Sequence, residues 1–225
     1  MAQAQRRFNW FAAGISIAVV VVLVLVVVLV VWMNNANSGG GARPDGSGID
    51  SETGAVVVGE GSNSMDLWFD FYCPHCQEFE DEYGSTVDDL LEQGDITLNL
   101  YPVALASLNA ASGTDFSKRS ANALYCVAEA EPSAAYPFMQ ALFATHPTGP
   151  GQTDEELIAM AADAGATGID ACVTDGEYIS FVEDQTTKLP TNPATGGAGT
   201  PTVIVNGEFV TLTGDPQADL VDRMK

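Results

Sequence analysis

The stretch DLWFDFYCPHCQEFEDEY, residues 66–83, changes character in its middle, and this change decides the fold. Its first half is an apolar, aromatic run of the kind found in buried central strands. Pro74 follows Cys73 at once, and proline is favoured at the first position of a helix. The apolar positions that continue at helical spacings are Cys76, Phe79, Tyr83, Val87, Leu90 and Leu91. The stretch therefore predicts a strand that passes directly into a helix, with Cys73 at the junction.

The two cysteines at this junction are placed for different chemistry. Cys73 occupies the predicted helix N-cap, where the positive end of the helix dipole stabilises a thiolate and lowers a thiol pKa from about 8.5. Cys76 lies inside the first turn, nearer the core. We therefore expect Cys73 to be exposed and attacked, and Cys76 to be sheltered and resolving. His75, between them, can donate a hydrogen bond or positive charge to the thiolate, which would make the disulfide a stronger oxidant.

The start of the chain predicts a membrane anchor. Residues 10–33 form a 24-residue apolar run in which Ser16 is the only polar side chain, and Arg6 and Arg7 precede it. The run is long enough to span a bilayer, and the positive-inside rule places residues 1–9 in the cytoplasm and everything after residue 33 outside. The alternative is a cleaved signal peptide, although its apolar core usually has only about 7–15 residues.

After this run, the composition predicts a tethered acidic domain. Residues 34–50 are rich in Gly, Ser and Asn and predict a flexible linker, which leaves residues 51–225 as one domain. The chain has 30 acidic and 8 basic residues, and only six of the basic ones follow residue 33. The exported part therefore carries about −24 formal charge, which would repel nucleic acid and anionic lipid surfaces. The acidity favours solubility; adaptation to salt is the alternative.

All four cysteines lie in the predicted exported domain, where disulfides usually form. Four cysteines allow three pairings, and Cys73 with Cys76 is the only pair close enough to close locally. That leaves Cys126 with Cys172, a bridge across about 46 residues that would contribute on the order of 4 kcal/mol. Two free buried thiols are the alternative.

The rest of the chain alternates between strand and helix signals. Strands are predicted at 55–58 and 96–102, and the Asn206-Gly207 pair predicts a hairpin between two further strands. Helical patterns fill much of residues 117–189, with a capping box at Thr153 and Glu156. Asp215 and Pro216 open a last helix. The predicted architecture is an α/β sheet with a helical insertion at about 104–189.

Two motifs carry a resemblance to a known family. The CPHC sequence at residues 73–76 and GTPTVIVNGEFV at residues 199–210 resemble the DsbA-type branch of the thioredoxin superfamily. More narrowly, the chain is similar to the membrane-anchored thiol-disulfide oxidoreductases of Gram-positive actinobacteria. The resemblance covers most of residues 55–225 and implies a thioredoxin-like fold. It also implies a cis bond between Thr200 and Pro201, facing the CPHC pair.

One position departs from the family. Many relatives carry a buried acidic residue six positions before the first cysteine, where this chain has Leu67. Asp70 lies three positions before Cys73 and is a candidate proton acceptor for Cys76. Its alternative interpretation is a solvated residue at the strand end.

The expected function is a thiol oxidase that introduces disulfides into exported, unfolded proteins. Cys73, Pro74, His75 and Cys76 would form its centre, with no organic cofactor or metal, and a quinone-linked membrane protein would reoxidise the pair. We expect a monomer. Three alternatives stay open: a reductase or isomerase with the same fold, a protein that handles zinc or a soft metal, and a surface module with CPHC as a staple. The second histidine, His146, is expected to be an exposed loop residue.

Overall fold

The computed structural model describes residues 41–224. The predicted cytoplasmic segment 1–9, the anchor 10–33 and linker residues 34–40 lie outside them. Within the described part of the chain, no helix combines the length and the apolar character that crossing a membrane requires.

Five strands form one mixed sheet in the order β1-β3-β2-β4-β5. Their bounds are β1 Val56–Val58, β2 Asn63–Phe69, β3 Ile96–Pro102, β4 Thr202–Val205 and β5 Glu208–Phe209. Strand β2 is central: it runs parallel to β3 and antiparallel to β4. Its C-terminal half is buried, as the aromatic run predicted. The CPHC motif therefore follows directly after the central strand of the sheet.

Helix α1, Pro74–Glu92, connects β2 to its parallel neighbour β3. The predicted apolar stripe is its buried face, from Cys76 through Phe79, Tyr83 and Val87 to Leu90. Parallel strands need a crossover connection, and α1 is that connection. Because α1 begins directly after β2, the cysteine pair at its first turn lies at the carboxyl end of the central strand. The thioredoxin-like order of strand, helix and strand is therefore present at the predicted place.

The helical insertion lies between β3 and β4. Its helices are α2 Ala106–Ser112, α3 Phe116–Ala130, α4 Ala135–Phe143, α5 Asp154–Ala164, α6 Asp170–Asp175 and α7 Ile179–Thr187, with a 3₁₀ turn at Pro132–Ala134. Helix α3 is buried along most of its length and packs against all five of the others. Helix α7 packs against β3, which attaches the insertion to the sheet. Cys126 of α3 and Cys172 of α6 form a disulfide with their Cα atoms 5.9 Å apart.

The predicted linker is wrong for residues 41–50, which pack onto the domain. Ile49 is buried and forms a bridge with Val56, and the Gly48 carbonyl accepts a hydrogen bond from the Val57 N–H at 2.8 Å. The Arg43 guanidinium lies 5.5 Å from the centre of the Phe181 ring. The Gly-rich composition of this segment suggested a coil. It could not reveal the contacts that order the segment, because these come from distant parts of the chain. The compact unit begins at Gly41, about ten residues earlier than predicted.

The C-terminal part closes the sheet as its turn residues predict. Asn206 and Gly207 have φ of 51° and 81° and join β4 to β5 in a tight hairpin, because both central positions of such a turn need positive φ. Asp215 caps the short helix α8, Pro216–Asp219, by accepting a hydrogen bond from the Ala218 N–H. A 3₁₀ turn at Val221–Met224 follows.

Candidate active site

Cys73 is the N-cap residue of α1, with extended backbone angles of φ −81° and ψ 118°. The residue is 6% exposed, and Cys76 is 1% exposed. The expectation of an exposed Cys73 is therefore wrong in degree, because the residue is buried. Cys73 nevertheless lines a surface pocket of about 320 Å³, and Cys76 does not. An approaching thiol reaches Cys73 first.

The two thiols have opposite acidities. The pKa of Cys73 is lowered to about 5, chiefly by a hydrogen bond from the Cys76 thiol, with further contributions from Thr200 and from the N–H groups of Cys76 and His75. The pKa of Cys76 is raised well above its ordinary value, first by burial and then by the hydrogen bond and charge of Cys73. The reduced pair therefore holds its negative charge on Cys73 and its proton on Cys76.

Thr200 and Pro201 lie beside this pair. The peptide bond between them is cis, as the resemblance implied. The Cys73 sulfur lies 3.3 Å from the Thr200 carbonyl oxygen. The Thr200 hydroxyl is buried and has no hydrogen-bond partner among residues 41–224. A backbone acceptor and a free side-chain donor thus face the sulfurs.

Of the two expected roles of His75, a ring hydrogen bond to the sulfur is not found, and a charge interaction with Cys73 is present. Its Nδ1 atom lies 2.9 Å from a carboxylate oxygen of Glu78, and its ring is mostly exposed. That hydrogen bond and the charge of Glu78 raise the pKa of His75, as does the Cys73 thiolate. The ring therefore pairs with Glu78 instead of bonding to the sulfur, and the direct contact with the Cys73 thiolate comes from the backbone N–H of His75.

Asp70 is fully buried, so its interpretation as a solvated strand end is wrong. One carboxylate oxygen accepts the Tyr72 N–H and the other accepts the Leu105 N–H, both at 2.8 Å. Burial raises its pKa to about 6 against these hydrogen bonds. Asp70 therefore joins the loop before Cys73 to the start of the helical insertion. The position six residues before Cys73 is the buried, apolar Leu67.

Several residues near Cys73 were not identified from the sequence. The pocket at Cys73 is also lined by Glu78, Asp81 and His146. His146 is exposed as expected, but it lies at this pocket with Nε2 4.0 Å from an Asp81 carboxylate oxygen. No local sequence pattern predicts that His146 lies near Cys73, because His146 belongs to the loop after α4, which is distant from Cys73 in the sequence. Within residues 41–224, no three or more His, Cys, Asp or Glu side chains converge as a metal site would require.

Comparisons with known proteins agree with this geometry. The family described as thioredoxin matches residues 52–222. A solved structure of oxidised DsbA from Mycobacterium tuberculosis is 31% identical, with 76% of this chain and 91% of that chain covered and a TM-score of 0.66. Reduced DsbG from the same organism is 30% identical over 85% of this chain and 89% of that one, with a TM-score of 0.63.

A more distant structure shares the fold. MdbA, a thiol-disulfide oxidoreductase from Actinomyces oris, is 24% identical, with 84% of this chain and 93% of that chain covered and a TM-score of 0.64. A search of curated proteins finds no match. The chain belongs to the thioredoxin family, and its similarity to DsbA-type enzymes identifies it as a protein disulfide oxidoreductase.

Proposed function

We propose that this protein is a thiol oxidase that uses the Cys73–Cys76 pair to introduce disulfides into unfolded proteins. The observation that carries the proposal is the opposite acidity of the two thiols: the pKa of Cys73 is lowered to about 5 and that of Cys76 is raised. Stabilising the Cys73 thiolate stabilises the reduced pair, so the disulfide tends to accept electrons from a substrate. A pair suited to reduction would have a smaller shift, as in thioredoxin, whose reactive thiol has a pKa of about 7.

The proposed reaction begins with a Cys73–Cys76 disulfide. A substrate thiolate attacks the Cys73 sulfur, the bond between Cys73 and Cys76 breaks, and Cys76 takes up a proton, as its raised pKa favours. A second substrate thiolate then attacks the substrate sulfur of the mixed disulfide. Cys73 leaves as a stabilised thiolate. Two substrate thiols become one disulfide, and two electrons remain on the enzyme as the reduced pair.

Thr200 is proposed to hold the substrate during these steps. Its carbonyl lies 3.3 Å from the Cys73 sulfur, and its hydroxyl lacks a partner within the described residues. An extended substrate segment beside Pro201 could exchange backbone hydrogen bonds with this position in the manner of an added strand. The arrangement would bring the substrate sulfur to Cys73 and leave Cys76 covered.

We further propose that the domain works outside the cytoplasm as an anchored monomer and is reoxidised by a quinone-linked membrane protein. Support for the location comes from the apolar run 10–33 behind Arg6 and Arg7, and from the Cys126–Cys172 disulfide, which suits an oxidising compartment. Protease added to intact, wall-stripped cells should degrade the domain. Full protection of the domain would contradict the location.

The decisive test of the function uses the full-length protein and a reduced, unfolded substrate protein. Oxidised enzyme should form the substrate disulfides, and Cys73→Ser and Cys76→Ser should each abolish this activity. The reduction potential should lie well above the value of about −270 mV found for thioredoxin. A potential near that value, with no oxidation of the substrate, would replace the oxidase by a reductase.

A further inference from the structure

A second groove, of about 470 Å³, lies next to the cysteine pair on the side of the Thr200–Pro201 bond. Its apolar lining comes from Phe79 and Tyr83 of α1 and from Val210 and Leu212 after β5. The loop before Thr200 contributes polar groups from Asn192 and Thr195. A peptide whose cysteine has reached Cys73 would have its neighbouring residues at this groove.

The apolar lining of the groove is fixed before any ligand arrives. The rings of Phe79 and Tyr83 are stacked with their centres 5.0 Å apart. The Tyr83 hydroxyl donates to an Asp219 carboxylate oxygen at 2.7 Å and accepts the Gly214 N–H at 2.7 Å. These bonds fasten the segment after β5 to α1. A preformed groove binds an extended segment without first being ordered itself.

The charged lining of the groove consists of Glu78, Glu82 and His75. Glu78 and Glu82 stand one turn apart on α1, and both line the groove. Glu78 already pairs with His75, whereas Glu82 has no ion pair within 4.0 Å among the described residues. The Glu82 carboxylate lies directly over Gly214, since a Cβ at that glycine would be 2.9 Å from its oxygen. No Lys or Arg lines the groove.

We propose that this groove selects substrate segments that carry Lys or Arg close to the reactive cysteine. The inference rests on the proposed function and specifies the substrate class of the same site. The methylene stem of a Lys or Arg would lie on Phe79 and Leu212, and its charge would face Glu82. Acidic segments would be repelled both by these carboxylates and by the exported part, which carries about −24 charge.

The test uses two short peptides with one cysteine each, identical except for Lys or Glu beside the cysteine. Oxidised full-length protein is mixed with each peptide at low salt, and the rate of reduction of Cys73–Cys76 is measured. A flanking Lys also makes the peptide thiol more acidic, and this effect is the same for every enzyme variant. The informative quantity is therefore the ratio of the Lys-peptide rate to the Glu-peptide rate, compared between the variant and the wild-type protein. The variant is Glu82→Gln, which leaves the His75–Glu78 pair in place.

The matched control is Asp89→Asn, which removes one exposed carboxylate from the same helix. Asp89 lines none of the three pockets described for residues 41–224. We expect the Lys-to-Glu ratio to fall about threefold in Glu82→Gln, in the range of one partly screened ion pair, and to stay unchanged in Asp89→Asn. The wild-type ratio should also shrink at high salt. Equal rates of all three proteins with uncharged 2-mercaptoethanol verify that folding and thiol chemistry are intact.

The outcomes separate the two proposals. An unchanged Lys-to-Glu ratio in Glu82→Gln, with both peptides still oxidised, would overturn the charge-selective groove and leave the oxidase standing. A ratio that falls equally in Asp89→Asn would assign the effect to overall charge and also overturn the groove. If wild-type protein oxidises neither peptide nor 2-mercaptoethanol, the proposed function itself is overturned.

Discussion

Cys73 and Cys76 are three positions apart, yet their surroundings change the acidity of the two thiols in opposite directions. Cys73 ends an extended segment and accepts hydrogen bonds from the Cys76 thiol and from the first backbone N–H groups of α1. Cys76 faces the core, where the burial of a charge is costly. A free thiol has a pKa of about 8.5 and is mostly protonated at neutral pH. The negative charge of the reduced pair at neutral pH is therefore a consequence of these contacts.

This acidity predicts that reduction stabilises the fold at neutral pH. The folded pKa of Cys73 is depressed to about 5 from a reference of 9.0, so its contribution is present above the reference value and is lost as pH falls through about 5. At pH 7 it amounts to roughly 2–3 kcal/mol. The reduced protein should therefore melt at a higher temperature than the oxidised one at neutral pH. The difference should shrink toward about pH 4, and a constant difference would contradict the assignment.

Asp70 provides a second prediction at this scale. Its two carboxylate oxygens accept separate backbone N–H groups, from Tyr72 and Leu105, and an asparagine has only one such oxygen. Asp70→Asn should therefore lower the free energy of unfolding by about 1–3 kcal/mol at about pH 4, measured by denaturant titration.

The pH dependence distinguishes Asp70 from an ordinary polar residue. Its folded pKa is raised to about 6, so its contribution is present below the reference of 3.8 and is lost as pH rises through about 6. The stability difference between wild type and Asp70→Asn should shrink between about pH 4 and pH 7. A difference that does not change with pH would show that the carboxyl does not titrate in this range.

Most elements could be predicted because their signals are local. The capping box of α5 has both of its hydrogen bonds, between Thr153 and Glu156. The Asn206-Gly207 hairpin and the Asp215 cap have equally local causes. Helix α2, by contrast, was missed because its N-cap, Leu105, offers no capping side chain. The resemblance placed Thr200–Pro201 beside the CPHC pair, but the sequence did not predict the other distant segments that line the grooves near Cys73.

The Cys126–Cys172 disulfide adds a covalent link between helices α3 and α6. The bridge spans 46 positions and joins the central, buried helix of the insertion to a short helix of six residues. Removing it by Cys126→Ala and Cys172→Ala should lower the free energy of unfolding by about 4 kcal/mol on the chain-entropy estimate. The rate of thiol oxidation at room temperature should stay near that of wild type. Loss of oxidation in a folded double variant would show that the insertion also shapes the reactive pair.

The molecule as a whole has a strongly acidic surface and also contains carboxyl groups whose pKa values are raised. The sequence carries a net charge of −22, and the described residues contain four ion pairs within 4.0 Å, two of them made by histidines. Repulsion among exposed carboxylates destabilises the compact state and is screened by salt. Glu80 adds to this cost, because burial and the charges of Asp88 and Asp81 raise its pKa to about 7.

These charges predict that the fold is stabilised by added salt and by mild acid. The folded pKa of Glu80 is raised from 4.5, so its contribution is present below that reference and is lost as pH rises through about 7. The melting temperature of the oxidised protein, in which Cys73 is in a disulfide and does not titrate, should therefore rise when pH is lowered from about 8 to about 5.5 and when salt is added at fixed pH. Glu80→Gln should weaken the pH effect, whereas Glu92→Gln, an exposed carboxylate on the same helix, should not. Equal pH slopes in wild type and Glu80→Gln would mean that the pH effect comes from the surface as a whole, because Glu80 would then be ionised throughout this range.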